Sequence, residues 1–329
     1  MADALLAYSQ TNAYFEVEPD LSASSSSIAL PAGMAPTYFG RSDGAHAYSV
    51  HGTTLGRIDP DGNVDSLTIP TSRRLTLTDD HVWCVSTDSS GQLVKVAKDT
   101  FNSYSTYAIN AGSGGSYNNI QDYVATDGDG NIWVAAAQTS PARVRLVKFD
   151  PVAETWATPY TLSQALGRTI GYTSLQIEQS TAFLAMTNNF GSGRILKVDL
   201  TTGTVSNNVA APSNSLVGDL VLLGSSVYVD YSLGGVPRIA KLAQSDLTET
   251  ATVQVSASGS FQNITTDGVD ALYTAGGTIL QDRVVLIDAT AMTVTTFRVF
   301  ASTATRYCTY FQVTPTPGAA GWVVGSVGW

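Results

Sequence analysis

Apolar residues in this chain arrive in short runs with a period of two, or in brief unbroken stretches, and never at helical spacing. RLTLT, VWCVS and LVKVA come in succession, then DYVAT, NIWVAA and RLVKFD, then SLQIE, AFLAMT and ILKVD. Alternation over so few residues specifies β-strands, and the small β-branched content of the unbroken stretches fits strands buried on both faces. Asp, Gly, Asn and Thr punctuate the runs: TDD at Thr78–Asp80, TDGDGN at Thr126–Asn131, TDGVD at Thr266–Asp270, DPDGN at Asp59–Asn63 and DLTTG at Asp199–Gly203. These residues meet the backbone requirements of tight hairpins.

The runs repeat. One aromatic flanked by small or β-branched residues recurs in AYSV (Tyr48), VWCV (Trp83), IWVA (Trp133), AFLA (Phe183), VYVD (Tyr228), LYTA (Tyr273) and GWVV (Trp322), at spacings of roughly 35 to 50 residues. After each of the first six comes an apolar run closed by an acid and a turn: Asp59, Asp99, Asp150, Asp199, Asp246 and Asp288. The remaining copy of that second phrase stands at the other end of the chain, as YFEVEPDL with Glu18 in the acid position. The last unit therefore starts near the C-terminus and finishes at the N-terminus. Each unit reads as four strands, A to D, with the aromatic on B and the acid closing C.

Seven such units predict an all-β fold, a seven-bladed β-propeller of four-stranded antiparallel blades. Its ring is closed by N- and C-terminal strands sharing one blade, which leaves no open edge. The expected blades are 36–70, 71–109, 119–162, 171–210, 216–255, 261–300, and 307–329 with 1–30, all within a single domain 1–329. TDGDGNIWV (Thr126–Val134) and ILKVDLTTGTV (Ile195–Val205) resemble the blade phrases of the NHL, YVTN and streptogramin-lyase-like propellers. That resemblance covers the whole chain at the level of fold. It implies little about activity, because propellers host many unrelated functions.

Composition narrows the function classes. Charged residues are only 13% of the 329 and the net charge is -10, from 17 basic and 27 acidic residues. With no basic run, a nucleic-acid backbone is an unsuitable partner. No apolar run reaches membrane-spanning length, and MADALLAYSQTNAYFEVEPD lacks the pattern of a secretory signal. Cys84 and Cys308 are too few for a disulfide framework and read as buried thiols.

Candidate chemistry is sparse. Asp127, Asp129 and Asn131 alternate as in a calcium loop, yet that loop's sixth and twelfth positions, Gly and Glu, are here Ile132 and Gln138. Turn chemistry accounts for the stretch better. His46, His51 and His81 lie in or beside early B strands with no zinc-ligand spacing. No G-x-S-x-G elbow or phosphate loop occurs. Asp122, Glu178 and Asp219 are acids close to A strands, but at unequal relative positions. Arg145, Arg194, Arg238 and Arg283 recur at the start of strand C, which points to a structural role. No catalytic residue, metal or cofactor is expected.

Binding is expected on the face that carries the longer D–A and B–C connections. Its candidate contacts are Tyr117, Tyr172, Phe190, Tyr231, Phe261 and Tyr307, aromatic rings amid Asn, Ser and Gly. Arg73, Arg74 and Arg168 join them, being D–A residues that do not repeat. The sequence thus reads as a non-catalytic recognition or structural protein. Low charge and richness in Ser, Thr, Asn and Gly are in the style of a phage virion or tail-associated propeller, binding a host surface glycan or protein or neighbouring virion proteins. The expected location is the virion or the extracellular space, with the cytoplasm as alternative. Two other readings stand beside it: a lyase- or lactonase-type propeller enzyme with its site at the channel mouth, and a cytosolic protein-interaction scaffold.

Overall fold

The computed structural model describes residues 4–9, 13–17, 20–22, 24–29, 38–59, 61, 63–86, 91–109, 119–139, 142–162, 170–188, 193–211, 216–257, 259–277, 282–300 and 305–311. Among them every regular element is a strand. The chain opens with β1 (Ala4–Ser9), β2 (Ala13–Val17) and β3 (Ser24–Ala29). A six-stranded sheet follows in chain order: β4 (Tyr38–Ser42), β5 (Ala47–Ile58), β6 (Val64–Leu77), β7 (His81–Ser86), β8 (Gln92–Ala97) and β9 (Tyr104–Ala108). The next sheet holds β10 (Asn119–Thr126), β11 (Ile132–Thr139), β12 (Ala142–Asp150), β13 (Thr155–Trp156) and β14 (Tyr160–Leu162), the last two both pairing with β12. Three four-stranded sheets complete the run. They are β15 (Ile170–Glu178) to β18 (Thr204–Ala210), through β16 (Thr181–Asn188) and β17 (Gly193–Asp199); β19 (Leu216–Leu223) to β22 (Glu249–Gln254), through β20 (Ser226–Leu233) and β21 (Val236–Ala243); and β23 (Ser260–Thr266) to β26 (Thr293–Phe300), through β24 (Ala271–Gly277) and β25 (Asp282–Asp288).

The last strand, β27 (Thr305–Phe311), returns to the beginning: it pairs antiparallel with β1, with Leu5 opposite Tyr310 and Ala7 opposite Cys308. The sheet order β27-β1-β2-β3 bears out the expected sharing of one sheet by the two chain termini. It also corrects one detail. The position between β27 and the YFEV strand β2 is filled by β1, ALLAYS, so the sheet has no place there for GWVV. Trp322 itself lies outside the described residues.

Two compact units divide the chain. One comprises Met1–Ser49, Gly56–Ser66 and Gly218–Trp329; the other comprises Val50–Leu55 and Leu67–Val217. Each has its own core. In the second unit Trp133, Leu146, Leu162, Leu184 and Leu196 pack together, and Trp83, Leu93, Ile132 and Phe149 form a neighbouring cluster. In the first, Tyr228, Ile239, Leu272 and Val285 do the same. The six described repeat aromatics, Tyr48, Trp83, Trp133, Phe183, Tyr228 and Tyr273, are all buried.

In three of them, Tyr48, Trp83 and Trp133, the polar edge is satisfied by the turn in front. The Asp127 carboxylate accepts the Trp133 indole N–H at 2.7 Å, and also the backbone N–H of Asp129 and of Asn131 and the Asn131 amide. At the corresponding turns Thr78 Oγ1 accepts from Trp83 at 3.1 Å and Asp43 accepts from Tyr48 at 3.0 Å. Burial, with Asp43 beside it, pushes the Tyr48 phenol well above its ordinary pKa. The Asp127 oxygens that suggested calcium therefore serve a repeated device, a turn residue that caps the buried aromatic.

On strand C a lysine stands opposite the aromatic and lies near its ring: Lys95 on Trp83, Lys148 on Trp133 and Lys241 on Tyr228, at 5.5 to 5.9 Å. The strand-C acids close the next turn, as when Asp199 accepts the Thr201 N–H at 2.7 Å and Asp288 the Thr290 and Ala291 N–H groups. Of the strand-C arginines, Arg194 donates to Asn208 on the adjoining strand and Arg283 covers the Phe297 ring, as their structural reading requires. Cys84 is free and fully buried, and burial pushes its thiol pKa far up.

Candidate functional site

The opposite ends of the A and B strands behave differently. The register between A and B strands slips between Ser72 and Arg74 on β6, between Asn119 and Tyr123 on β10, between Tyr172 and Ser174 on β15, and between Phe261 and Asn263 on β23. These are bulges, which leave one residue over on β6, β15 and β23 and two on β10, and re-aim the side chains around them. They fall at one repeated place. Arg74, Tyr123, Ser174 and Asn263 each pair with the B-strand residue two beyond the buried aromatic: Val85, Ala135, Ala185 and Ala275. The aromatic position holds only large rings, whereas this position holds a cation, a phenol, a hydroxyl and an amide.

Side chains meet there in the unit that contains β6 and β10. The Arg74 guanidinium lies 4.4 Å from the centre of the Tyr123 ring and donates to the Tyr123 hydroxyl at 3.0 Å. Just inside this contact the Thr76 and Thr126 hydroxyls are 2.9 Å apart, and Thr126 donates to the Leu77 carbonyl. In the other unit two buried acids are held by the backbone of β19. Asp230 accepts the backbone N–H of Asp219, and Asp219 accepts that of Leu220. Gly218 makes room for the pair, since a Cβ there would collide with both Asp230 oxygens. Asp219 and Asp230 are the buried acids of the described residues, at 1% and 3% exposure. Among the described residues no three His, Cys, Asp or Glu side chains gather where they could hold a metal ion.

Each candidate from the sequence can now be placed. Tyr117, Phe190 and Arg168 lie outside the described residues. Tyr172 and Phe261 belong to β15 and β23, each bordering a bulge, and Tyr307 belongs to β27. Arg73 is the extra residue of the β6 bulge and Arg74 follows it; both lie in a continuous strand, not in a connection. Tyr231 departs furthest from expectation. YSLGGVP is not a long loop, because Gly234 and Gly235 both take positive φ, 61° and 79°, and form a two-residue turn that extends both strands. Tyr231 is thereby drawn into β20 and is 6% exposed.

Two members were missed. Tyr123 was hidden in DYVAT, although its offset from Trp133 marks it, and Asp230 stands in VYVD where sister strands carry Ala or Val. Of the histidines, His46 and His81 lie at the turns, tilted against Tyr48 and Trp83.

No family model matches the chain, and no curated protein matches it. Solved structures do. A candidate 6-phosphogluconolactonase from Bacteroides uniformis superposes with a TM-score of 0.64 at 14% identity, over 94% of this chain and 99% of that one. The Dos1 propeller matches with a TM-score of 0.52 at 13% identity, over 76% of this chain and 66% of that one. The fold is that of a β-propeller. The dihydro-heme d1 dehydrogenase NirN in complex with DHE shares it too, with a TM-score of 0.57 at 12% identity, over 95% of this chain and 76% of that one. At such identities the likeness speaks of fold and not of chemistry. No helix among the described residues is long and apolar enough to cross a membrane.

Proposed function

We propose that this propeller is a non-catalytic recognition protein that binds a glycan or a protein partner through the bulged ends of β6 and β10. The observation that carries the reading is the pair of unlike side chains, Arg74 and Tyr123, at one repeated bulge position within one unit, where Ser174 of β15 is buried. In a repeat protein, positions that hold the fold converge on one residue class. A position kept geometrically constant but chemically varied suits contact with a ligand lacking the repeat's symmetry.

The repeat number belongs to the same proposal. Gly52 has a φ of +58° in the middle of β5, and Pro70 stands in the middle of β6. Reading each of these strands as two divides the six-stranded sheet into two units of four and raises the count to seven. The sequence resemblance to the NHL, YVTN and streptogramin-lyase-like group supports this architecture. Low charge and a surface of Ser, Thr, Asn and Gly fit a virion or tail-associated protein that meets a host surface.

Glycan-array and host-cell binding test the proposal. Arg74→Ala and Tyr123→Ala are expected to reduce binding, while Asp129→Ala at the turn end leaves it intact. Equal binding by all three variants would place recognition elsewhere. One observation favours a second reading, a lactonase- or lyase-type enzyme: the buried Asp219–Asp230 pair, in a fold shared with a candidate lactonase. Hydrolysis of a lactone panel that disappears in Asp230→Asn and persists in Arg74→Ala would establish that reading instead.

A further inference from the structure

We infer that the junction between the sheet of β4–β9 and the sheet of β10–β14 is an acid-released latch, in which the Glu154 carboxylate fastens β8 and β9 to the turn after β12. Such a latch is independent of what the bulged ends bind. Contacts between sheets recur at one place, where a side chain of one sheet donates to the turn after the third strand of another. Tyr160 donates to the Thr201 carbonyl at 3.3 Å, Tyr228 and Lys241 to the Ala289 carbonyl at 2.9 and 3.0 Å, and Arg298 to the Leu21 carbonyl at 3.2 Å. In each of these the acceptor is backbone and does not titrate. After β12 it is a side chain. Glu154 Oε1 accepts the Tyr107 hydroxyl at 2.5 Å and the Lys95 ammonium at 3.1 Å, so one carboxylate spans β9 and β8.

The backbone singles out the same residue. Four positions after the strand-C acids Asp150, Asp199 and Asp288, the residues Glu154, Gly203 and Met292 take positive φ of 54°, 71° and 53°. Glycine enters this region freely, and a residue with a side chain does so at a cost. Met292 packs into its own core, and Gly203 lies under the Tyr160 ring. Glu154 is exposed, and its side chain reaches the neighbouring sheet instead. A strained position that packs nothing at home is occupied for its carboxylate.

Charge decides when the latch holds. Lys95 on β8, Tyr107 on β9 and His81 on β7 face Glu154, with Lys148 and Asp150 on the strand leading into its turn, and Asp80, Lys98 and Asp99 act on His81. The Tyr107 hydroxyl, then Lys95, hold the Glu154 carboxyl below its ordinary 4.5. The folded pKa thus lies below the unfolded one, and the latch, complete above pH 4.5, is lost as pH falls through the folded value. Protonation removes the charge that Lys95 pairs with and leaves Tyr107 a neutral, weaker acceptor. A protonated His81 favours the carboxylate and so opposes release. The Tyr107 ring packs on Phe149 at 4.8 Å, at the rim of the cluster of Trp83, Leu93, Ile132 and Phe149. Since β9 is the edge of its sheet, release frees β9 and uncovers that rim while the inner strands stay paired.

The test is hydrogen exchange of the full chain, read by mass spectrometry on β9 and, for reference, on β26, whose Arg298 contact ends on a carbonyl. Wild type is compared with Glu154→Gln at each pH, which cancels the intrinsic pH dependence of exchange. At neutral pH β9 should exchange roughly threefold to tenfold faster in Glu154→Gln, the range of an exposed charge-assisted contact. About two units below 4.5 the ratio should fall to one, with β26 still protected. Tyr107→Phe, which keeps the ring, and Lys95→Met should each reproduce part of the neutral-pH effect and add nothing to Glu154→Gln. Should Glu154→Gln not fold, Tyr107→Phe gives the same comparison. A ratio of one at neutral pH would overturn the latch. So would a ratio that persists in acid, because the charge would then hold nothing. Loss of protection at β9 and β26 together would overturn it in favour of acid unfolding with no junction that yields first.

Discussion

Within the unit Leu67–Val217 the two ends of the same strands are built on opposite principles. At the turn end the described features recur: a Thr or an Asp caps the indole of Trp83 and of Trp133, a lysine lies near each, and an acid closes the next hairpin. At the bulged end only the backbone irregularity recurs, and the residues on it differ. Repetition of a side chain marks a requirement of the fold. Repetition of a backbone device carrying unlike side chains marks a place where the fold leaves the choice open. That division predicts where substitutions cost stability and where they cost binding.

The largest effect is expected at Trp133. It is 2% exposed, stacks with Tyr160 at a centroid distance of 5.8 Å and donates to Asp127. Trp133→Ala leaves a cavity and removes one of the donors to the Asp127 carboxylate, and should cost about 3–5 kcal/mol in urea unfolding. Gly203→Ala comes next. Gly203 has a φ of +71° and a Cβ there would lie 2.5 Å from the Tyr160 ring, whose hydroxyl donates to the Thr201 carbonyl. Strain plus displacement of that ring should cost about 2–3 kcal/mol.

Asp127→Ala removes four acceptor contacts at once and should cost about 1–2 kcal/mol, while Asp129→Ala, next but one along the exposed turn, should stay within about 0.5 kcal/mol. If the two cost the same, the turn carboxylate is not the hub it resembles. The sharpest contrast is with the other end. Arg74→Lys should shift the unfolding midpoint little, within about 0.5 kcal/mol, yet weaken binding. A large loss of stability there would erase the distinction between the ends.

What the sequence made legible follows the same line. The aromatic, acid and arginine positions could be found because packing and turn chemistry select a residue class at each copy. Bulges could not, since a slip of register between Tyr172 and Ser174 needs no particular residue. Residues 231–237 were misjudged because Gly-Gly marks a floppy connection as readily as a type I′ hairpin, and only positive φ at both glycines decides. Tyr231 moved from surface to core on that distinction. The closing sheet was legible in outline, from Glu18, but GWVV matched the aromatic pattern better than ALLAYS did. Pairing of β1 with β27 overrules the match, because a strand's place in a sheet is set by its partners and not by its likeness to other strands.

Turn carboxylates and a turn histidine make a last, smaller prediction, in the pH dependence of stability. Burial lowers the His81 pKa from the ordinary 6.5. Turn N–H groups lower Asp150, Asp199 and Asp246 from 3.8, and the Tyr107 hydroxyl followed by Lys95 lowers Glu154 from 4.5. In every case the folded pKa lies below the unfolded one, so the unfolded chain takes up protons first as pH falls, and stability declines. The His81 contribution is present above pH 6.5 and lost below it; the carboxylate contributions survive to about 4.5 and are lost below that. The urea midpoint should therefore fall in two steps on acidification. His81→Gln should abolish the upper step alone, and Glu154→Gln should shrink the lower one. Neither should alter binding at the bulged end. A variant that moved both the acid step and binding would show that the two ends of the strands are coupled.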